Sequence, residues 1–272
     1  KYSKSKFKLF LREAVDPFVA VKNQRFYIFR KFIIYLKKKL YPSADKIIAI
    51  SEGVKKTLVN EFKIKANKID VIYNPAADHR ILEMAKEKVE ENYLDKNFNI
   101  INIGRLTRQK DHITLLKAFK IVLKKIQCNL LIIGEGSERK NINKFIVDNN
   151  LENNVNLVGY KSNPWKYLHR ADLFVLSSIW EGFGNVIVES MILGVPVISS
   201  DCKSGPSEIL NNGKHGDLFK IRDHKKLSEL IIEEFNSKKL KDKVNKAKER
   251  SQDFSINKIT SKYEESFKKL LT

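Results

Sequence analysis

The feature that most constrains this 272-residue chain is a run of short apolar segments alternating with longer ones of helical periodicity. Residues 99–104, 129–134, 155–159, 173–177, 196–200 and 217–219 have strand length, most are rich in Ile, Leu and Val, and they read as buried strands. Between most of them, residues 111–126, 137–149, 185–193 and 224–235 repeat apolar positions at helical spacing. Strands separated by helices of this length predict parallel βαβ units. The expected fold is α/β, a Rossmann-like parallel sheet flanked by helices. Two earlier strands, 46–50 and 70–73, enclose a helix over 51–62.

In such sheets ligands bind beyond the carboxyl ends of the strands, and every unusual motif falls there. Gly104-Arg105, Gly134-Glu135 and Gly159-Tyr160 each follow a strand end directly, as do residues 177–184 and 200–207. The most informative stretch is Trp180-Glu-Gly-Phe-Gly-Asn-Val-Ile-Val-Glu-Ser-Met191. It runs from a buried strand through a glycine-rich turn into a helix that Gly194 and Pro196 stop, an arrangement that aims backbone N–H groups at an anion. Glu181 lies in the turn and Glu189 about one helical turn inside. Two carboxylates near a helix N-terminus can accept from sugar hydroxyls while the backbone holds phosphate, which fits a nucleotide-sugar site.

Each candidate has a plainer reading. Arg105 and Lys110 flank the turn after the strand 99–104, where two cations can stabilise a diphosphate without a metal. The alternative is a solvated basic loop, the reading given to Arg108 between them. Glu189 is a ribose ligand or an ordinary acid near a helix start; Glu181 touches sugar or caps the following helix. Gly134 and Gly136 with Glu135 shape the nucleotide side of the cleft, or form a tight turn that needs glycine. Ser204 or Ser207 in Ser204-Gly-Pro-Ser-Glu208 reads as a helix cap.

The motifs together resemble glycosyltransferase family 4, the retaining glycosyl-group-1 transferases of GT-B fold. Carrying the resemblance are the 180–191 stretch, Gly104-Arg-Leu-Thr-Arg-Gln-Lys-Asp-His112, Gly134-Glu-Gly136, Gly159-Tyr160, Ser204-Gly-Pro-Ser-Glu208, Asp253-Phe-Ser255 and Tyr263. They span roughly residues 44–267 in the family's order. The resemblance implies a GT-B type C-terminal domain over 74–250 and a remnant of the acceptor-side domain over 1–73. A helix over 251–272 would pack back toward that remnant. It also implies retaining transfer from a nucleotide diphosphate sugar, UDP before GDP, to a glycan or lipid-linked acceptor in cell-surface polysaccharide synthesis. Arg105, Lys110 and Glu181 would be catalytic; Gly104, Glu135, Tyr160, Gly182, Phe183, Gly184, Asn185 and Glu189 would bind the donor. The alternative is a non-catalytic nucleotide-sugar-binding half that needs a second domain. The family's first glycine loop would precede Lys1.

Lys and Arg number 52 against 32 Asp and Glu, which favours anionic partners. Before Pro42 the only acids are Glu13 and Asp16. There Phe7-Lys-Leu-Phe-Leu-Arg12 and Phe26-Tyr-Ile-Phe-Arg-Lys-Phe-Ile-Ile-Tyr-Leu-Lys-Lys-Lys39 mix aromatics with cations. That composition suits a peripheral contact with anionic lipid on the inner face of a membrane, or a surface packed against further chain with lysines snorkelling. No apolar run approaches the roughly 20 residues that span a bilayer. Cys128 and Cys202 fit a reduced cytoplasmic protein. The five histidines show no ligand spacing, so neither metal nor cofactor is expected. A nucleic-acid-binding reading is disfavoured, because the lysines are spread over many helices without a recognised module.

Overall fold

The computed structural model describes residues 7–17, 27–89 and 97–271. Phe26, and the side chains of residues 27–30 in the second basic-aromatic segment, lie outside the described residues.

Among the described residues, two parallel sheets carry the fold. The first has strands β1 (Phe10–Glu13), β2 (Lys46–Ala49) and β3 (Ile69–Val71), side by side in that order. The second has six, β4 (Phe98–Ile103), β5 (Cys128–Ile133), β6 (Val155–Leu157), β7 (Leu173–Leu176), β8 (Val197–Ser200) and β9 (Asp217–Phe219), in the order β6-β5-β4-β7-β8-β9. Every ladder is parallel. The order reverses between β4 and β7, the switch point where a parallel sheet opens a crevice.

The helices are α1 (Tyr27–Leu40), α2 (Glu52–Phe62), α3 (His79–Met84), α4 (His112–Val122), α5 (Arg139–Asp148), α6 (Trp165–Leu168), α7 (Asn185–Ile192), α8 (Pro206–Ile209), α9 (His224–Ser237), α10 (Lys241–Ser251) and α11 (Ile256–Leu271). Local chemistry sets several starts. Ser51 caps α2 by accepting from the Val54 N–H, and Asp111 caps α4 by accepting from that of Thr114. Strands β5 and β7 are buried throughout, as a sheet covered on both faces requires. Among the described residues, no helix is long and apolar enough to cross a membrane.

One buried cluster runs through both sheets, joining Ile47, Ile50 and Val54 to Ile101, Leu131, Phe174 and Ile187. The C-terminal helix α11 lies on the three-stranded sheet, where Ile259 packs with Ile48 and Ile72. Ser266 of the same helix donates to Asp70, 2.7 Å away.

Strand β1 carries no strand pattern in the sequence, where residues 7–12 read either as a lipid-surface contact or as a surface packed against further chain. Four residues at a sheet edge are too few to show an alternation. Leu11 instead packs toward the core, and the Phe10 ring meets Phe267 edge-on, 4.6 Å between centroids. In α1, Ile34 packs inward while Phe32, Tyr35 and Leu40 stay exposed.

Candidate active site

The crevice at the switch point holds a cavity of about 300 Å³. Its wall includes Gly104, Arg105, Lys110, Glu181, Gly182, Phe183, Gly184 and Asn185, from the connections that follow β4 and β7. Ala14, Val15, Ile50 and Asn74 close it from the three-stranded sheet. The Gln109 amide donates to the Trp180 carbonyl at 2.9 Å, and the Ser177 hydroxyl to the Lys110 carbonyl at 2.8 Å. These bonds stitch the two connections together. Gly182 must be glycine for lack of room: a Cβ there would sit 2.6 Å from the Ala14 carbonyl oxygen.

The charges are arranged unequally. Lys110 Nζ lies 2.6 Å from Glu181 Oε1, with side chains only 13% and 9% exposed. Ser178 donates to the same carboxylate oxygen at 2.6 Å. The Arg105 guanidinium has no hydrogen bond or ion pair among the described residues and lies free on the cavity wall. Arg108 is 87% exposed and pairs loosely with Glu138 at 3.6 Å.

Helix α7 begins here from Gly184, whose φ of 108° suits glycine, and no side chain caps it. Its first N–H groups therefore lack a side-chain acceptor beside Arg105, the setting an anion favours. Glu181 is not the cap that its position in the turn allowed, because Lys110 and Ser178 hold it. Nor does Ser204 or Ser207 cap α8: the cap position is Gly205, and no side chain bonds there. The Ser204 hydroxyl is buried without a hydrogen-bond partner among the described residues.

Three expected residues stand apart from the cavity wall. Glu135 pairs with Arg139 at 2.7 Å, one helical turn away. Tyr160 is 75% exposed beyond the end of β6. Glu189 sits inside α7, its carboxylate accepting from Trp165 Nε1 at 2.8 Å. Burial raises the Glu189 pKa, against the lowering effects of that indole N–H and the Lys110 charge. Phe183 is buried, and its ring stacks on Tyr73 at 5.4 Å and meets Phe254 edge-on at 5.4 Å.

Residues that sequence reading missed include Asn74, which donates to Asn185 at 2.9 Å and accepts from Arg12 at 2.6 Å. Trp165 and Ser178 were missed as well. Only a tryptophan in a polar loop, Asn163-Pro-Trp-Lys166, could have drawn attention in advance. His112 is buried with neither ring nitrogen hydrogen-bonded among the described residues, and burial, aided by Lys110, pushes its pKa down to about 4. It is neutral at pH 7. Both cysteines are free and buried; burial pushes each thiol up to about 12.

A larger cavity of about 460 Å³ opens nearby, between the start of α2 and residues 201–212. Size favours it, but chemistry does not. Glu52, Asp201 and Glu208 line it against Lys56 and Lys203, so carboxylates outnumber cations where a diphosphate would lie. Glu208 is already engaged, accepting from the backbone N–H groups of Glu52 and Gly53 at 2.8 and 2.9 Å.

Comparison with known proteins assigns the chain to a family. The glycosyl transferases group 1 family matches residues 83–251, the region that contributes most of the cavity wall. Glycosyltransferase Family 4 matches residues 13–80. The chain belongs to the group 1 glycosyltransferases. This group 1 chain is 34% identical over 269 residues to an uncharacterized glycosyltransferase of Methanocaldococcus jannaschii, covering 87% of this chain and 66% of the relative. It is 33% identical over 257 residues to the N-acetylgalactosamine-N,N'-diacetylbacillosaminyl-diphospho-undecaprenol 4-alpha-N-acetylgalactosaminyltransferase of Campylobacter jejuni, covering 94% and 68%. A crystal structure of a Staphylococcus aureus TarM variant in complex with fondaparinux, alpha-GlcNAc-glycerol and UDP superposes with a TM-score of 0.75 at 26% identity, covering 94% of this chain and 50% of TarM. The group 1 chain thus spans about two thirds or less of the length of these proteins.

Proposed function

We propose that this protein transfers a sugar, with retention at the anomeric carbon, from a nucleotide diphosphate sugar to a glycan or lipid-linked acceptor. The observation that carries the reading is the unpaired Arg105 guanidinium beside the uncapped start of α7, in a cavity that also holds Lys110. As the anomeric carbon–oxygen bond breaks, negative charge collects on the departing diphosphate. Arg105, Lys110 and the α7 N–H groups stabilise it there without a metal. Glu181, engaged by Lys110 and Ser178, is suited to holding the ammonium and a sugar hydroxyl rather than to attack as a nucleophile. The nucleoside extends beyond this cavity, past the ends of β5 and β6, where Glu189 takes the ribose hydroxyls and Glu135 and Tyr160 border the nucleotide.

UDP is the favoured nucleotide, supported by the UDP held in the TarM complex. A lipid-linked acceptor is supported by the diphospho-undecaprenol in the name of the Campylobacter relative. The exposed Phe32, Tyr35 and Leu40 of α1, beside Lys37, Lys38 and Lys39, suit work at the inner surface of a membrane.

Calorimetric titration with UDP, with and without a chelator, tests the donor site. Equal affinity in both arms is expected, and binding that vanishes with chelator overturns the metal-free reading. Product stereochemistry, read by NMR from a full-length transfer reaction, tests retention.

A further inference from the structure

The contact between Trp165 and Glu189 joins two connections that the sequence keeps 24 positions apart. Trp165 opens α6, after the loop that carries Tyr160 and just before β7; Glu189 lies in α7, just after β7. The indole is held in place: its ring is half-buried and packs on the shared core. Its N–H has one direction to donate in, and the acceptor there is Glu189 Oε2 at 2.8 Å. Among the described residues, no other side-chain hydrogen bond is recorded for this carboxylate, and Lys110 acts on it only at longer range.

A carboxylate in low dielectric with a single fixed donor has one rotamer favoured over the rest. It also keeps unused lone pairs on both oxygens, since each oxygen accepts about two bonds. A vicinal diol needs that: an ionised carboxylate, already oriented, with acceptor capacity left over. We infer that Trp165 is a positioning residue, its indole N–H fixing the Glu189 carboxylate in the orientation that receives the ribose hydroxyls. This rests on the proposed ribose role of Glu189 and adds a residue that acts through it. It also ties the Tyr160 loop to the ribose contact, because Tyr160 and Trp165 share one connection.

Ring packing and hydrogen bonding separate cleanly in Trp165→Phe, which keeps an aromatic ring and removes the N–H. The test measures binding of UDP and of 2′,3′-dideoxy-UDP to the full-length protein, for wild type, Trp165→Phe, Glu189→Gln and the double variant, between pH 5 and 8. Wild type is expected to favour UDP. Trp165→Phe should weaken UDP about tenfold, the effect of one hydrogen bond to a charged group, and dideoxy-UDP less than twofold. Its loss should deepen toward low pH, because a carboxylate without the N–H protonates more readily. In the double variant the two effects should not add.

Equal weakening of both ligands by Trp165→Phe would show a packing role only and overturn the inference. So would unchanged UDP binding, or strict additivity with Glu189→Gln. A wild type that binds UDP and dideoxy-UDP alike would instead overturn the ribose role of Glu189, and the inference with it.

Discussion

Lys110 Nζ and Glu181 Oε1 lie 2.6 Å apart, both side chains almost withdrawn from water. The cation read as a diphosphate ligand is thus held by the carboxylate read as a sugar contact. Ser178 supplies that carboxylate with its second donor. The pair sets the position of the ammonium before any ligand arrives, and the ligand's phosphate then shares a charge already oriented.

A buried carboxylate that loses its cation is costly. Lys110→Ala should destabilise the protein by about 3–5 kcal/mol, whereas Lys110→Met with Glu181→Gln should cost clearly less than the sum of the single changes. Urea unfolding of Lys110→Ala, of Lys110→Met, of Glu181→Gln and of the double variant measures this. Additive losses would mean that the two groups are not coupled.

Arg105 and Arg108 remove the same charge from the same connection, yet only Arg105 faces the cavity. Arg105→Ala should weaken UDP binding by about 2–5 kcal/mol and uridine binding far less. Arg108→Ala should change either by less than about 1 kcal/mol. Calorimetry with both ligands checks it; equal losses at the two positions would point to a diffuse basic surface.

Glu189 should show opposite effects on stability and on binding. Burial raises its folded pKa above the ordinary carboxylate value. Its contribution to stability is therefore fully present below the unfolded pKa and is lost as pH rises through the folded one. Once pH exceeds the folded pKa the ionised carboxylate is a liability, so the melting temperature of Glu189→Gln relative to wild type should rise from pH 4 to pH 7, while its UDP affinity falls. A melting-temperature difference that falls as pH rises would contradict the burial argument.

Phe183 ties distant segments together, since its ring forms one mutually contacting cluster with Tyr73 and Phe254. Phe183→Ala should cost about 3–5 kcal/mol of unfolding free energy, measured by denaturant titration. A cost near 1 kcal/mol would show that the neighbouring rings refill the space.

The sequence by itself determined the βαβ order and the edge on which the motifs gather. Periodicity and strand length report which faces are buried, and residues 217–219 were read with the bounds that β9 has. Gly104, Arg105, Lys110 and residues 181–185 were legible because glycine-rich turns follow strand ends directly. Tertiary structure decided what each side chain does there. Glu181 could have capped a helix or met a sugar until packing set Lys110 beside it. Phe183 sits between two candidate glycines in sequence, yet its ring belongs to an aromatic cluster formed with residues 73 and 254. Trp165 acquired a partner 24 positions away only when β7 brought α6 and α7 to the same side of the sheet. Strand β1 has no local signal, because its pairing with β2 joins Phe10 to Lys46 across a long stretch of chain. Local pattern encodes burial, a property of one segment; a contact between distant segments exists only once the sheet fixes their registers.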